Sequence, residues 1–342
     1  MRPSGTLELR LGRWSWLWRP RSLLVCLALL LACGVLAVLL LGTGTIRLAP
    51  GQVLAGLLGG ADDPTITRVV QRIRLPRLLT ALLVGAALGV SGAVFQSLSR
   101  NALGSPDVIG FTTGAATGAI TAIILFGAGA LATALGAVGS GLVTALVVLL
   151  LARRGGGYRL ILIGIGVGTV LSGVNTLLMV MSHVDMAMSA QIWLAGSLAA
   201  RGWPHVWTAA AGLALFAPPV LVAARQLLLL EMGDDMAAQL GLRVGRARMV
   251  LVLAAVGLSS VATACTGPIA FIALAGPQIA RRLTRTPGVP LVSGALAGAA
   301  LLLAADMISQ NPPWNLTAPI GLTTGFLGGL YLILLIARDG RP

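Results

Sequence analysis

The chain contains no lysine: all 24 of its basic residues are arginine, and only 10 acids stand against them. Charged residues make up 10% of its 342 positions, where a soluble domain carries roughly a quarter. With 57% hydrophobic residues and a mean hydropathy of +0.94, that scarcity excludes a soluble globular protein and points to one built to lie in a bilayer. Cysteine is nearly absent. Cys26 and Cys33 share one face of a single apolar run and Cys265 stands alone, so there is no disulfide framework and no metal-binding spacing. With two histidines, no His/Cys cluster supplies a nucleophile or base. A Gly-x4-Gly-Lys phosphate loop is also missing, so the chain itself has no means of hydrolysing ATP.

What is present is a series of apolar runs about as long as a membrane span, which is about 17 to 25 residues. They fall near 22–42, 78–98, 108–126, 128–152, 160–181, 206–224, 249–266, 287–305 and 319–337. A tenth, "GPIAFIALAGPQIARRL" at 267–283, is apolar for about 13 residues, or roughly 20 Å of helix against a bilayer core of about 30 Å. Arginine decides its status, because basic residues near span ends collect on the cytoplasmic side. Ten spans with both termini inside leave only Arg47, Arg68, Arg72, Arg74, Arg77 and Arg201 outside. Omitting the short span would move "RRLTR" at 281–285 and the C-terminus outside and weaken the bias. The expectation is an all-α, ten-span polytopic membrane protein with both termini on the cytoplasmic side. It divides into an anchor at 1–21, a membrane domain at 22–337 and a tail at 338–342. "RWSWLWRPR" at 13–21 is a basic, aromatic interfacial anchor, not a cleaved leader. The net charge of +14 is then mostly topology, not nucleic-acid binding.

Glycine is abundant, at 45 residues. Spacings such as Gly85, Gly89 and Gly92, or Gly164, Gly166, Gly168 and Gly173, let helices approach closely in lipid. The spans themselves are nearly free of ionisable groups. Asp306 lies near the end of the ninth, while His183 and Asp185 lie outside the fifth. A proton- or sodium-coupled carrier would place such groups within its spans, so energy for transport must come from elsewhere. A Mg²⁺-dependent membrane transferase is the alternative class, resting on "GDD" at 233–235. Its only companion pair, Asp62 and Asp63, falls on the opposite side of the membrane.

"LLEMGDDMAAQLGLRVGRARM" at 229–249 gathers Glu231, Asp234 and Asp235 within five positions. Asp234 or Asp235 suits an N-cap and Gly241 a helix end, so 235–240 is predicted to be a short cytoplasmic helix. Its exposed face would carry Met236, Gln239 and Leu240, in the manner of a docking element for a soluble partner.

Five blocks then carry a resemblance: "RIRLPRLLTALLVGAALGVSGAVFQSLSRNALGSPDVIGFTTGA" at 72–115, "IWLAGSL" at 192–198, "LLEMGDDMAAQLGLRVGRAR" at 229–248, "ATACTGPIAFIALAGPQIARRL" at 262–283 and "APIGLTTGFLGGLYLILL" at 318–335. In this order they resemble the FecCD/BtuC family of ABC-transporter permeases, which carry iron–siderophore, haem or cobalamin. Their wording is nearest to the ferric enterobactin type of subunit.

The resemblance implies two such permease subunits, two ATPase subunits below and a substrate-binding protein above. ATP and Mg²⁺ are used by the ATPase, and no cofactor or metal belongs to this chain. It implies that 231–241, with Glu231, Gly233, Asp234, Asp235, Met236, Gln239, Leu240 and Gly241, is the coupling helix. It gives Arg74 and Arg77 to docking of the siderophore-binding protein, and Arg100, Asn101 and Asp107 to a cytoplasmic turn where Asn101 and Asp107 cap helices. Pathway walls are expected along the fifth and tenth spans and 186–198, with Asn175, Met179, Met181, Met186, Met188, Trp193 and Gly196. This methionine-rich surface suits a bulky ligand. The departures are Gln278 for His in "PHIAR", Thr317 and Ala318 for Glu and Leu in "ELPVG", Ala102 for Pro in "RNPL", and Gln310 where an arginine is common. The cargo implied is a ferric siderophore, with cobalamin or haem as the alternative.

Overall fold

The computed structural model describes residues 7–11, 14–18, 20–44, 46–61, 63–152, 157–286, 288–310 and 319–339. It is helical apart from one antiparallel hairpin, β1 (Leu7–Leu11) and β2 (Trp14–Trp18), in register Leu9↔Trp16. The predicted anchor thus contains two paired strands that its spacing did not reveal.

Among the described residues, seven helices are long and apolar enough to cross a membrane. They are α1 (Pro20–Gly42), a continuous run made of α3 (Pro64–Val69), the π-turn Val70–Arg74 and α4 (Leu75–Ser99), then α6 (Ala130–Leu151), α7 (Gly157–Met181), α9 (Trp203–Val222), α12 (Val244–Thr266) and α14 (Leu291–Gln310). Two shorter apolar helices, α5 (Phe111–Phe126) and α15 (Ile320–Asp339), join them. With α13 (Ile272–Thr284), every predicted span has its helix, and the chain is a multi-pass, all-α membrane protein. At 13 residues, α13 reaches roughly 20 Å and lies buried among α4 and α14. The π-turn sits just before Pro76, whose missing N–H cannot continue a regular helical ladder. Four further helices lie between spans: α2 (Pro50–Leu58), α8 (Val184–Leu194), α10 (Ala224–Glu231) and α11 (Asp234–Gln239).

The core is α4 surrounded by α12, α13 and α14. Close approach is enforced at its glycines. A Cβ on Gly89 would stand 2.2 Å from the Gly294 carbonyl oxygen, and one on Gly92 1.7 Å from that of Ala273. No side chain larger than hydrogen fits there without separating the helices, as small-residue packing in lipid requires. Gly85 meets Gly298 as Gly89 meets Gly294, so α4 and α14 run antiparallel. The bundle therefore has two ends, one marked by Arg77 and Asp306 and the other by Arg100, Glu231 and Arg281.

Candidate functional site

At the Glu231 end, α10 and α11 meet at Gly233, whose φ of 112° is the left-handed region open to glycine. Gly233 is the N-cap, so Asp234 and Asp235 sit in the first turn and neither caps the helix through its side chain. Asp234 instead accepts from Arg248 Nη2 at 2.6 Å, and Glu231 pairs with Arg281 at 3.2 Å. The acids still favour the positive helix end, but their larger effect is to bind the segment to α12 and α13. Ala237 is fully buried beneath, while Asp235, Met236, Gln239 and Leu240 face outward. Gly241, at φ 85°, ends the helix by donating to the Ala238 carbonyl. The result is a short helix clamped from below with an amphipathic face left uncovered. Beside it a cavity of about 900 Å³ opens between Cys26, Leu228, Met232 and Val289.

The turn after α4 lies against this segment: the Arg100 guanidinium reaches the vicinity of Gly233. Arg100, at φ 50°, is itself the C-cap of α4. Asn101 does not cap a helix. Its Oδ1 accepts from the Leu103 amide at 2.9 Å in a local Asx turn. Asp107 is not a cap either, because α5 begins at Phe111 behind Gly110. Asp107 is half-buried, but its Oδ2 is fully buried without a hydrogen-bond partner. Burial pushes its carboxyl up to about 7, against hydrogen bonding by the Phe271 backbone and the Thr112 side chain. Two departures from the family wording turn out to touch: Gln278 donates to the Ala102 carbonyl at 2.6 Å. Gln96 continues the network by donating to the Leu274 carbonyl at 2.9 Å.

At the other end, Arg77 grips Asp306 through Nη2 at 2.6 Å and Nε at 3.1 Å. Gln310, one helical turn along, donates to the second oxygen at 2.8 Å. Arg74 donates to the carbonyls of Leu41 and Ile46. Both arginines chosen from the sequence are thus engaged within the chain. Arg47, Arg68 and Arg72 are exposed at the same end without an ion pair among the described residues; position in "RLPR" drew attention away from them. A cavity of about 570 Å³ opens here between Arg74, Arg77, Ser197, Gln310 and Ile320. Thr317 and Ala318 lie outside the described residues.

The expected pathway residues divide. Met186 and Trp193 line one cavity. Asn175 is buried on α7 with an unpartnered Oδ1, and Met179 is half-buried. Gly196, at φ 68°, is pressed between Pro268 and Gly321. No group of three metal-binding side chains occurs among the described residues.

Among the described residues, ten helices at the predicted spans surround a nearly uncharged core, with one clamped helix exposed at one end and arginines at the other, and make a polytopic membrane protein. The model of the FecCD transport family matches residues 29–338, and the chain belongs to that family. It is 47% identical over 323 residues to the ferric enterobactin transport system permease protein FepG of Escherichia coli (strain K12), covering 94% of this chain and 98% of the relative. It is 36% identical over 327 residues to the vitamin B12 import system permease protein BtuC of Escherichia coli O127:H6 (strain E2348/69 / EPEC), covering 93% and 95%. A solved structure described as an inward-facing conformation of a metal-chelate type ABC transporter superposes with a TM-score of 0.83 at 28% identity, covering 92% of this chain and 99% of that one.

Proposed function

We propose that this chain is the permease subunit of an ABC importer for a ferric siderophore, sitting in a bacterial cytoplasmic membrane with both termini inside. The observation that carries the cargo is the near end-to-end likeness to a ferric enterobactin permease. The chain is not an enzyme: a separate ATPase uses ATP and Mg²⁺. On this reading α11 is the coupling helix, presenting Met236, Gln239 and Leu240 to the ATPase. The Arg77 end faces outward and meets a siderophore-binding protein through Arg47, Arg68 and Arg72, while Arg74 and Arg77 hold the surface beneath. The pathway runs beside a second permease subunit, along α7, α8 and α15, where Asn175, Met179, Met186, Trp193 and Gly196 fall. The segment at 1–21 lies at the inner interface as an anchor.

The test is uptake by proteoliposomes containing this chain, its second permease and the ATPase, with the binding protein supplied outside. Ferric enterobactin should accumulate on ATP addition, and cobalamin and haem should not. The purified chain alone should hydrolyse no ATP. Accumulation of cobalamin at a comparable rate would overturn the siderophore reading.

A further inference from the structure

A cavity of about 420 Å³ lies between α5, α6, α8, α9 and α12, toward the Arg77 end of the bundle. Most of its wall is apolar, including Ile123, Leu131, Ala134 and Met186, but one side carries Arg201 and His205. Arg201 Nε donates to the Ser197 carbonyl at 3.0 Å, and its Nη1 stands 3.2 Å from His205 Nε2. His205 Nδ1 accepts the Gly202 amide at 3.3 Å. A neutral ring that accepts at Nδ1 carries its proton on Nε2. The neutral ring has one acceptor nitrogen for the two donors that face it, the Gly202 amide and the guanidinium, so one of the two contacts sets donor against donor.

The polar groups around the pair do not resolve this. Thr208 gives its proton to the Pro204 carbonyl, and no carboxylate pairs with Arg201 among the described residues. Burial lowers the Arg201 guanidinium from its ordinary value, because a desolvated cation without a counter-charge is disfavoured. An acceptor carrying negative charge, placed across Nη1 and Nε2, would satisfy both donors at once.

The surroundings narrow what carries that charge. Leu131 on the cavity wall is exposed, as are Phe126 and Trp207 next to lining positions. On a multi-pass protein such apolar surfaces face acyl chains, with Trp at headgroup level. We propose that this cavity seats an anionic phospholipid, its phosphodiester bridging Arg201 and His205 and an acyl chain following Ile123 and Leu131. A free phosphate has the same oxygens but no use for the apolar wall.

Native mass spectrometry of the full chain in detergent micelles, titrated with dioleoyl phosphatidylglycerol, dioleoyl phosphatidylcholine and inorganic phosphate, tests this. Phosphatidylglycerol should bind at least fivefold more tightly than phosphatidylcholine, and Arg201→Gln and His205→Leu should abolish the difference. Millimolar inorganic phosphate should not displace the lipid. Because Arg201 also holds the Ser197 turn, Ala134→Phe provides an independent variant. It fills the cavity, leaves both donors in place and should lose the lipid equally. Unchanged phosphatidylglycerol binding in Ala134→Phe or in Arg201→Gln would overturn the proposal, as would displacement by inorganic phosphate.

Discussion

Asp306 is 1% exposed on its side chain, and three donor atoms surround its carboxyl group: Nε and Nη2 of Arg77 and the side-chain amide of Gln310. A charge removed from water costs several kcal/mol unless paired and hydrogen-bonded, and removing one member of a buried pair costs about 3 to 5 kcal/mol. Arg77 keeps 25% of its side-chain exposure, so the lower end of that range applies. Arg77→Gln should therefore destabilise the chain by about 3 kcal/mol. Arg77→Gln combined with Asp306→Asn should cost clearly less than the two single changes added together. Unfolding of the four variants in micelles reads this directly, and strict additivity would show that the pair carries no coupling. Part of this site was legible in the sequence. Gln310 stands four positions from Asp306 on one helix, a spacing that brings side chains together. Arg77 is 229 positions away, and nothing local distinguishes an arginine held by its own chain from one waiting for a partner. Asp107 misled for a similar reason: an acid before a helix suggests a cap, but the group is buried instead, and one of its hydrogen-bond partners, the Phe271 backbone, lies far along the chain.

At the scale of elements, periodicity and length located a helix in every predicted span, including the short α13. The small helices between spans were less visible, since a helix of nine residues such as α2 has too few turns for a hydrophobic stripe to register. Their punctuation was nonetheless present in Pro50 at the first turn of α2, Gly59 behind it, and Asp63 capping α3 through the Thr65 amide. The helix α11 was located one residue late because Gly233, not an aspartate, takes the N-cap. Its function as a lever depends on rigidity below and apolar contact above. Ala238→Pro breaks the interior of so short a helix at a cost of about 3 kcal/mol. Met236→Asp with Leu240→Asp leaves the fold alone, since both are exposed, but sets charge against an apolar partner. Both variants should insert normally and lose ATPase co-purification and iron uptake together. Wild-type levels of both in either variant would show that α11 is a surface loop and that the drive enters elsewhere.

For the molecule as a whole, the distribution of exposure is uneven in a way that a lone bundle in lipid does not require. The core helices α4 and α12 are almost entirely buried, whereas α7 keeps Val170, Leu177, Val180 and Met181 exposed, and α15 keeps Leu322, Phe326 and Ile333. The glycines of α7 show the same division. Gly164 and Gly168 are packed against Ile109 and Gly110, while Gly166 and Gly173 have no atom within 4 Å of where a Cβ would stand. Exposed apolar side chains are at home in acyl chains, but open glycines gain nothing from lipid and suit the close approach of another helix. If α7 packs against a second permease subunit, Gly173→Trp should leave insertion and thermal unfolding of the isolated chain unchanged, because nothing in the chain occupies that space. The same change should separate the two permeases by the width of an indole and abolish their co-purification. Val170→Trp, which changes an already bulky position, should weaken the pair less. Full recovery of the pair from Gly173→Trp membranes would place the subunit contact on another face and leave α7 to the lipid.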